Sequence, residues 1–281
     1  MKASKNIFAL LFLLTVLTGT ISAQKNIVII HTNDTHSRIE PMPKTDKEYP
    51  DKGGVIRRAD YIGQIRKENS KALLLDAGDF VQGTPYFNLF KGRVEAQAMS
   101  LLKYDAGTLG NHEFDYGLDT LKRIIQGLSF PIVNCNYDFS NTVLRGLVKP
   151  YITMKRDGVK IGIIGVGIDP EGLIEKNKYE GMVFNPIISS ANKYSQILKE
   201  KEKCDLIICL SHIGYDTKEV NDIRLAQETE YIDIIIGGHS HTYMEKPDIR
   251  KNLSGKDVMI FQQGKNGSYI GRIDVVLDKI N

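Results

Sequence analysis

Histidines and acidic side chains cluster at a few short stretches of this 281-residue chain. Asn33-Asp34-Thr35-His36, Asp76-Ala77-Gly78-Asp79, Gly110-Asn111-His112-Glu113, Ser211-His212 and Gly237-Gly238-His239-Ser240-His241 all carry residue types that ligate metal ions or move protons. Five of the six histidines belong to this set; His31 stands outside it and reads as structural. Taken singly, Asp-x-His is a common loop and Gly-Asp a common turn. The set gains meaning because each stretch follows directly on a short, β-branched apolar run.

Such runs recur at 27–30, 72–75, 106–109, 132–133, 161–166, 206–210, 234–236, 258–261 and 270–277. Their lengths suit strands buried on both faces. Helix-period segments lie between them at 55–68, 96–103, 118–128 and 189–202, which predicts an α/β architecture with helices covering the sheets. Helices thin out late in the chain, and the last two strands are expected to pair as neighbours. Ligand sites in open α/β sheets form beyond the carboxyl ends of strands, so groups far apart in sequence can converge there. Residues two apart in an extended segment point to one side, which would bring Asp34 with His36, and His239 with His241, to one site. Gly78, Gly110 and Gly238 immediately precede candidate ligands and permit sharp turns and close backbone approach.

The first residues have the order of an export signal: Lys2 and Lys5, an apolar stretch over 7–17, then small residues to Ala23. That stretch is short of the roughly 20 residues that span a bilayer, so no membrane anchor is expected. The expected division is a signal peptide over 1–23 and a single catalytic domain over 24–281, exported to the periplasm or beyond. Removal of Lys2 and Lys5 leaves 35 basic residues against 34 acidic ones, a balance that gives no sign of a nucleic-acid-binding face. Cys135, Cys204 and Cys209 are odd in number and irregularly spaced, which is no disulfide framework. Cys209, inside an apolar run, reads as a small buried hydrophobe.

At Asp34-x-His36, Gly78-Asp79, Gly110-Asn111-His112-Glu113, His212 and Gly238-His239-Ser240-His241 the sequence resembles the calcineurin-like metallophosphoesterases. Further motifs narrow the resemblance to the catalytic domain of secreted bacterial 5'-nucleotidases, which also process UDP-sugars and cyclic nucleotides. These are His31-Thr32-Asn33-Asp34, Gly53-Gly54-x-x-Arg57, Gln82-Gly83-Thr84-Pro85 and Asn111-His112-Glu113-Phe114-Asp115-Tyr116-Gly117. The resemblance spans about residues 26–278 and implies a four-layer αββα sandwich. By position it implies one metal held by Asp34, His36 and His241, a second by Asn111, His212 and His239, and Asp79 bridging the two. His241 departs from the narrower pattern, where glutamine is frequent. The related enzymes continue into a second domain with an aromatic base clamp and phosphate-binding arginines; this chain ends at Asn281, and a separately encoded domain of that kind is the expected partner.

Mixed nitrogen and oxygen ligands without thiolate suit two divalent Zn, Mn, Fe or Co ions rather than a structural zinc site. Two such ions roughly 3.5 to 4 Å apart activate water and clamp the oxygens of an in-line displacement on a small-molecule phosphate ester, nucleotides foremost. The resemblance gives His112 the task of protonating the leaving oxygen, with Asp115 orienting its ring; the alternative is a histidine that only braces Asn111. Arg57 either supports the site or forms a helix-surface ion pair, and Gln82 and Thr84 either line the pocket or belong to a turn. Tyr215 and Tyr243 lie just past ligand stretches and either stack on a base or, as such tyrosines more often do, simply pack. Three functions remain open: a nucleotidase-type phosphomonoesterase, a phosphodiesterase acting on cyclic nucleotides or other diesters, and a non-catalytic metal-binding subunit.

Overall fold

A computed structural model describes residues 24–217 and 220–277. The expected signal peptide lies outside these residues.

Two six-stranded sheets form the centre of the molecule. The first contains β1 (Lys25–Thr32), β2 (Leu73–Asp76), β3 (Ala106–Gly107), β4 (Ile132–Val133) and β6 (Val148–Lys149) as parallel neighbours in that order. A two-stranded antiparallel ribbon, β5 (Tyr137–Asp138) with β9 (Val183–Phe184), stands apart. The second sheet has a parallel core of β8 (Val159–Gly167), β10 (Leu206–His212), β11 (Ile234–Ile236) and β13 (Asp257–Phe261). Antiparallel edges flank it, β7 (Tyr151–Arg156) on β8 and β12 (Asp248–Lys251) on β13. The last strand, β14 (Gly271–Leu277), pairs antiparallel with β1 in the first sheet. The expectation that the last two strands are neighbours is therefore corrected. The reason is visible in burial: β14 alternates buried and exposed residues, as an edge strand with one face on the core does, whereas β13 sits inside the other sheet.

Side-chain alternation along each strand generates the layers. On β1, Ile27 and Ile29 face the second sheet, packing with Ile161, Ile208 and Ile236, whereas Val28 and Ile30 face helices on the outside. Those outer helices are α1 (Val55–Glu68), α3 (Arg93–Leu101) and α4 (Gly117–Gly127), with the short α2 (Pro85–Phe90) leading into α3. Across the second sheet, α5 (Ile187–Gln196) and α6 (Asp222–Gln227) cover Ile164, Ile207 and Ile235. The expected helix over 189–202 is α5 followed by a π-helical turn, Ile197–Lys201. The result is helix, sheet, sheet, helix, as expected. Cys209 is fully buried in the outer core of the second sheet, and none of the three cysteines is bridged. Among the described residues, no helix is long and apolar enough to cross a membrane.

Candidate metal centre

Five strands, three from one sheet and two from the other, deliver the candidate ligands to one place. Asp34 and His36 follow β1, Asp79 follows β2, Asn111 follows β3, His212 is the last residue of β10, and His239 and His241 follow β11. His36 Nε2 lies 3.0 Å from His241 Nε2, which is 3.4 Å from Asp34 Oδ1. His212 Nε2 lies 3.1 Å from Asp79 Oδ2 and 3.9 Å from Asp34 Oδ1. His239 Nδ1 and Asn111 Oδ1 are 2.9 Å apart. All seven expected ligands thus meet, and two groups of ligating atoms form, Asp34 with His36 and His241, and Asp34 with Asp79 and His212. Asp34 is the carboxylate these two groups share.

Convergence arises differently from the expectation based on extended backbone. Asp34 (φ 47°), His36 (φ 45°), Asp79 (φ 54°), His239 (φ 72°) and His241 (φ 55°) all sit in the left-handed region, beyond the strand ends. A non-glycine residue there costs of order 1–3 kcal/mol and persists only where its surroundings hold it. Hydrogen bonds supply that hold. Both Asp34 carboxylate oxygens accept from the His239 amide at 3.1 Å, and Asn33 Nδ2 donates to Asp34 Oδ2 at 2.6 Å. Asp79 Oδ1 accepts from the His112 amide at 2.9 Å.

Glu113 is the largest contributor that residue spacing did not single out. Fully buried, its carboxylate accepts from the amides of Asp79 (3.0 Å), Phe80 (2.9 Å) and Gly110 (2.6 Å), and so ties the β2 loop to the β3 loop. The only signal was its place beside His112. Bare glycine faces complete the packing: a Cβ on Gly110 would lie 2.1 Å from Asp79 Oδ1, and one on Gly238 would lie 2.8 Å from His212 Nδ1.

The donor set fits cations. His212 Nδ1 donates to the Ala77 carbonyl at 2.7 Å, so its buried Nε2 presents a lone pair to the Asp79 carboxylate unless a proton or cation sits between them. Without a cation a proton takes that role: burial would depress His212, but the charge and hydrogen bond of Asp79 outweigh it and raise the pKa to about 10. Burial lowers His36, and burial together with the His212 charge lowers His239 to about 4, so both rings are neutral and ready to ligate near pH 7.

His112 stands beside this centre, its ring 5.6 Å from that of His36. Its Nδ1 lies 3.1 Å from Asp115 Oδ2, which leaves Nε2 as the nitrogen free to exchange a proton with a bound molecule. Burial lowers the His112 pKa, yet the Asp115 hydrogen bond and the Asp79 charge more than offset it, and the net shift is upward.

The remaining candidates separate from the site. Arg57 forms an exposed ion pair with Asp51 at 3.1 Å, the surface alternative. Thr84 caps α2 by accepting from the Tyr86 amide, and Gln82 occupies a left-handed turn position. Tyr215 donates to Asp248 at 3.0 Å, whereas Tyr243 stacks on Tyr269 at 4.1 Å and remains about half exposed. His31 is fully buried, edge-on to Phe261 at 5.9 Å, with its pKa pushed down to about 3 by burial.

Comparison with known proteins agrees with this geometry. The profile of the calcineurin-like phosphoesterase family matches residues 27–243. The chain is 31% identical over 286 residues to the trifunctional nucleotide phosphoesterase protein YfkN of Bacillus subtilis, covering 90% of this chain and 18% of that one. It is 31% identical to the snake venom 5'-nucleotidase of Naja atra, covering 90% of this chain and 50% of the relative. The chain therefore spans half or less of the length of these curated relatives. Among solved structures, a 5'-nucleotidase precursor from Thermus thermophilus superposes with a TM-score of 0.83 at 34% identity, over 90% of this chain and 52% of that one. The crystal structure of YfkN from Bacillus subtilis gives a TM-score of 0.75 at 31% identity, over 92% of this chain and 87% of that one. The strand-end candidate ligands, the two-sheet sandwich and these matches coincide, and the chain belongs to the calcineurin-like phosphoesterase family.

Proposed function

We propose that this chain is the catalytic sandwich of a dinuclear-metal phosphoester hydrolase of the 5'-nucleotidase type, acting on nucleotide monoesters. The observation that carries the reading is the meeting of seven candidate ligand side chains from two sheets beside a histidine held by a carboxylate. Asp34, His36 and His241 would hold one ion and Asn111, His212 and His239 the other. The family pattern would put Asp79 between them, with Asp34, whose carboxylate stands in both groups of ligating atoms, close beside it. Bound cations of this kind act as Lewis acids toward phosphoryl oxygens and generate a nucleophile from water near neutral pH. The protein's own contribution is placement: Glu113 and the glycine faces fix the ligands, and His112, held by Asp115, gives its proton to the departing oxygen. Naming of the relatives as nucleotidases supports a nucleotide as substrate. Lys2, Lys5 and the apolar run that follows support export, where extracellular nucleotides would be met.

The test is metal analysis together with turnover of 5'-AMP, a 2',3'-cyclic nucleotide and bis-p-nitrophenyl phosphate by the purified protein. About two ions per chain with preference for the monoester is the expected result. Preference for the diesters would move the assignment to a phosphodiesterase, and a folded protein with no metal would overturn the catalytic reading.

A further inference from the structure

The Gly53-Gly54-x-x-Arg57 motif takes no part in the metal centre, yet it shapes a second concave site. Helix α1 begins after Gly54 with no side-chain cap and no acidic residue in its first turn. Its first turn instead runs into two arginines, Arg57 and Arg58, although cations at a helix N-terminus oppose the macrodipole. Opposite them lies the 267–270 segment, and between the two is a cavity of about 480 Å³ lined by Lys52, Gly54, Arg57, Arg58, Tyr61 and Ser268 among others.

Three independent features point to an anion in this cavity. Its lining carries three cations, Lys52, Arg57 and Arg58, against the single carboxylate of Asp51, within a chain whose total charge is nearly balanced. A cleft of one predominant sign concentrates the field acting on an oppositely charged ligand. Arg58 is only 6% exposed, and its Nε has no hydrogen-bond partner; one terminal nitrogen donates to the Arg38 carbonyl at 3.1 Å. The buried Ser268 hydroxyl likewise lacks a partner. Unmade hydrogen bonds at buried polar groups are costly, and both of these lie in residues that border this one cavity, just beneath its surface. Part of the Arg58 charge is met internally by Asp76, so Arg57 and the helix terminus supply the more available attraction. The Arg57–Asp51 pair is exposed, and pairs of that kind are weak enough to exchange for a ligand.

We propose that this cavity is a second binding site, separate from the metal centre, for a small phosphorylated ligand that carries a flat ring. The phosphate sits at the N-terminus of α1 between Arg57 and Arg58, and the ring lies against the exposed face of Tyr61. The loop between this cavity and the metal centre is tied to the latter, because the Asn266 amide donates to the Asp34 carbonyl at 2.7 Å.

Calorimetric titration of the metal-loaded, full-length protein with methylphosphonate and phenylphosphonate tests this, since neither probe can be hydrolysed. The expected result is two classes of site. Arg57→Glu weakens one class by at least about 10-fold, the loss that accompanies removal of a charge-assisted hydrogen bond. Turnover of p-nitrophenyl phosphate stays within about twofold of the parent, because Arg57 lies outside the metal centre. Phenylphosphonate binds that class roughly 2- to 10-fold more tightly than methylphosphonate, the advantage of an aromatic contact, and Tyr61→Ala removes the advantage. A single class of site in the parent protein overturns the proposal. So does an Arg57→Glu variant in which both classes, or binding and turnover together, fall in parallel, because the cavity would then be part of the substrate site itself. Equal affinity for the two phosphonates overturns the assignment of the ring to Tyr61.

Discussion

His112 and Glu113 are adjacent in sequence and turn to different partners, His112 to Asp115 beside the candidate metal centre and Glu113 to backbone amides. His112 is raised above the ordinary histidine range by Asp115 and Asp79 against the effect of its burial, so its acidic form persists to higher pH. A general acid must be protonated to act, so turnover of a substrate with an alkoxide leaving group should fall as pH rises through that raised pKa. Asp115→Asn removes the main upward influence and should move this limb to lower pH, which a pH-rate profile on 5'-AMP would register. His112→Asn should keep both ions and lose roughly 10²-fold or more in turnover on 5'-AMP, with a smaller loss on p-nitrophenyl phosphate, whose leaving group needs no proton. Equal losses on the two substrates would instead mean that His112 braces Asn111. Glu113→Gln tests the backbone-facing role. Glutamine offers one acceptor oxygen where the carboxylate serves three amides, so Asp79 and Gly110 can no longer both be held as they are. Metal affinity should drop roughly 10- to 100-fold, the range typical of groups that orient ligands, and a competitive chelator titration would measure it.

At the scale of elements, the two sheets come into close approach at Gly165, which carries no side chain. A Cβ on Gly165 of β8 would lie 2.2 Å from the Val133 carbonyl oxygen of β4 and 2.5 Å from Thr108 Oγ1. Gly165→Ala must push the sheets apart or distort β4, and should cost about 1–3 kcal/mol, seen as a lower denaturant midpoint with an unchanged slope. Such contacts are not written in local sequence, because the glycine and its neighbours are 32 and 57 residues apart in the chain. What was legible follows the same logic. The runs that became β1, β2, β4, β8, β10 and β11 were visible because burial on both faces demands unbroken apolar stretches. The bounds of α1 match the periodic segment. Edge strands β7 and β12 were not visible, since Lys155, Arg156, Arg250 and Lys251 place charge where an edge tolerates or needs it. The same holds at the site. Histidine and aspartate types marked the candidate ligands, whereas the left-handed conformation of five of them is not encoded in residue type, and two of the three amides that Glu113 holds are 34 and 33 residues away.

For the molecule as a whole, the position of the centre means that metal binding and folding are coupled. Candidate ligands from β1, β2 and β3 belong to one sheet and those from β10 and β11 to the other, so ions held by them would join the two halves of the sandwich. Without ions the buried Asp34 and Asp79 carboxylates are balanced chiefly by a protonated His212, whose folded-state pKa is raised to about 10 by Asp79. A histidine raised in this way contributes stability that is complete below its unfolded pKa of about 6.5 and is lost as pH rises toward the folded value. Metal-free protein should therefore become less stable between about pH 7 and pH 10. Ion binding displaces the His212 proton, so the metal competes better as pH rises over the same interval. Both effects have the same sign, and the gap in melting temperature between metal-loaded and chelator-treated protein should widen with pH. A ligand at about 1,000 times its Kd adds roughly 4 kcal/mol, which for a domain of this size is a gap on the order of 10 °C. Melting curves with and without chelator at pH 6, 7.5 and 9 would decide the matter. A gap that is absent, or that narrows as pH rises, would show that the ions do not occupy the space between His212 and Asp79.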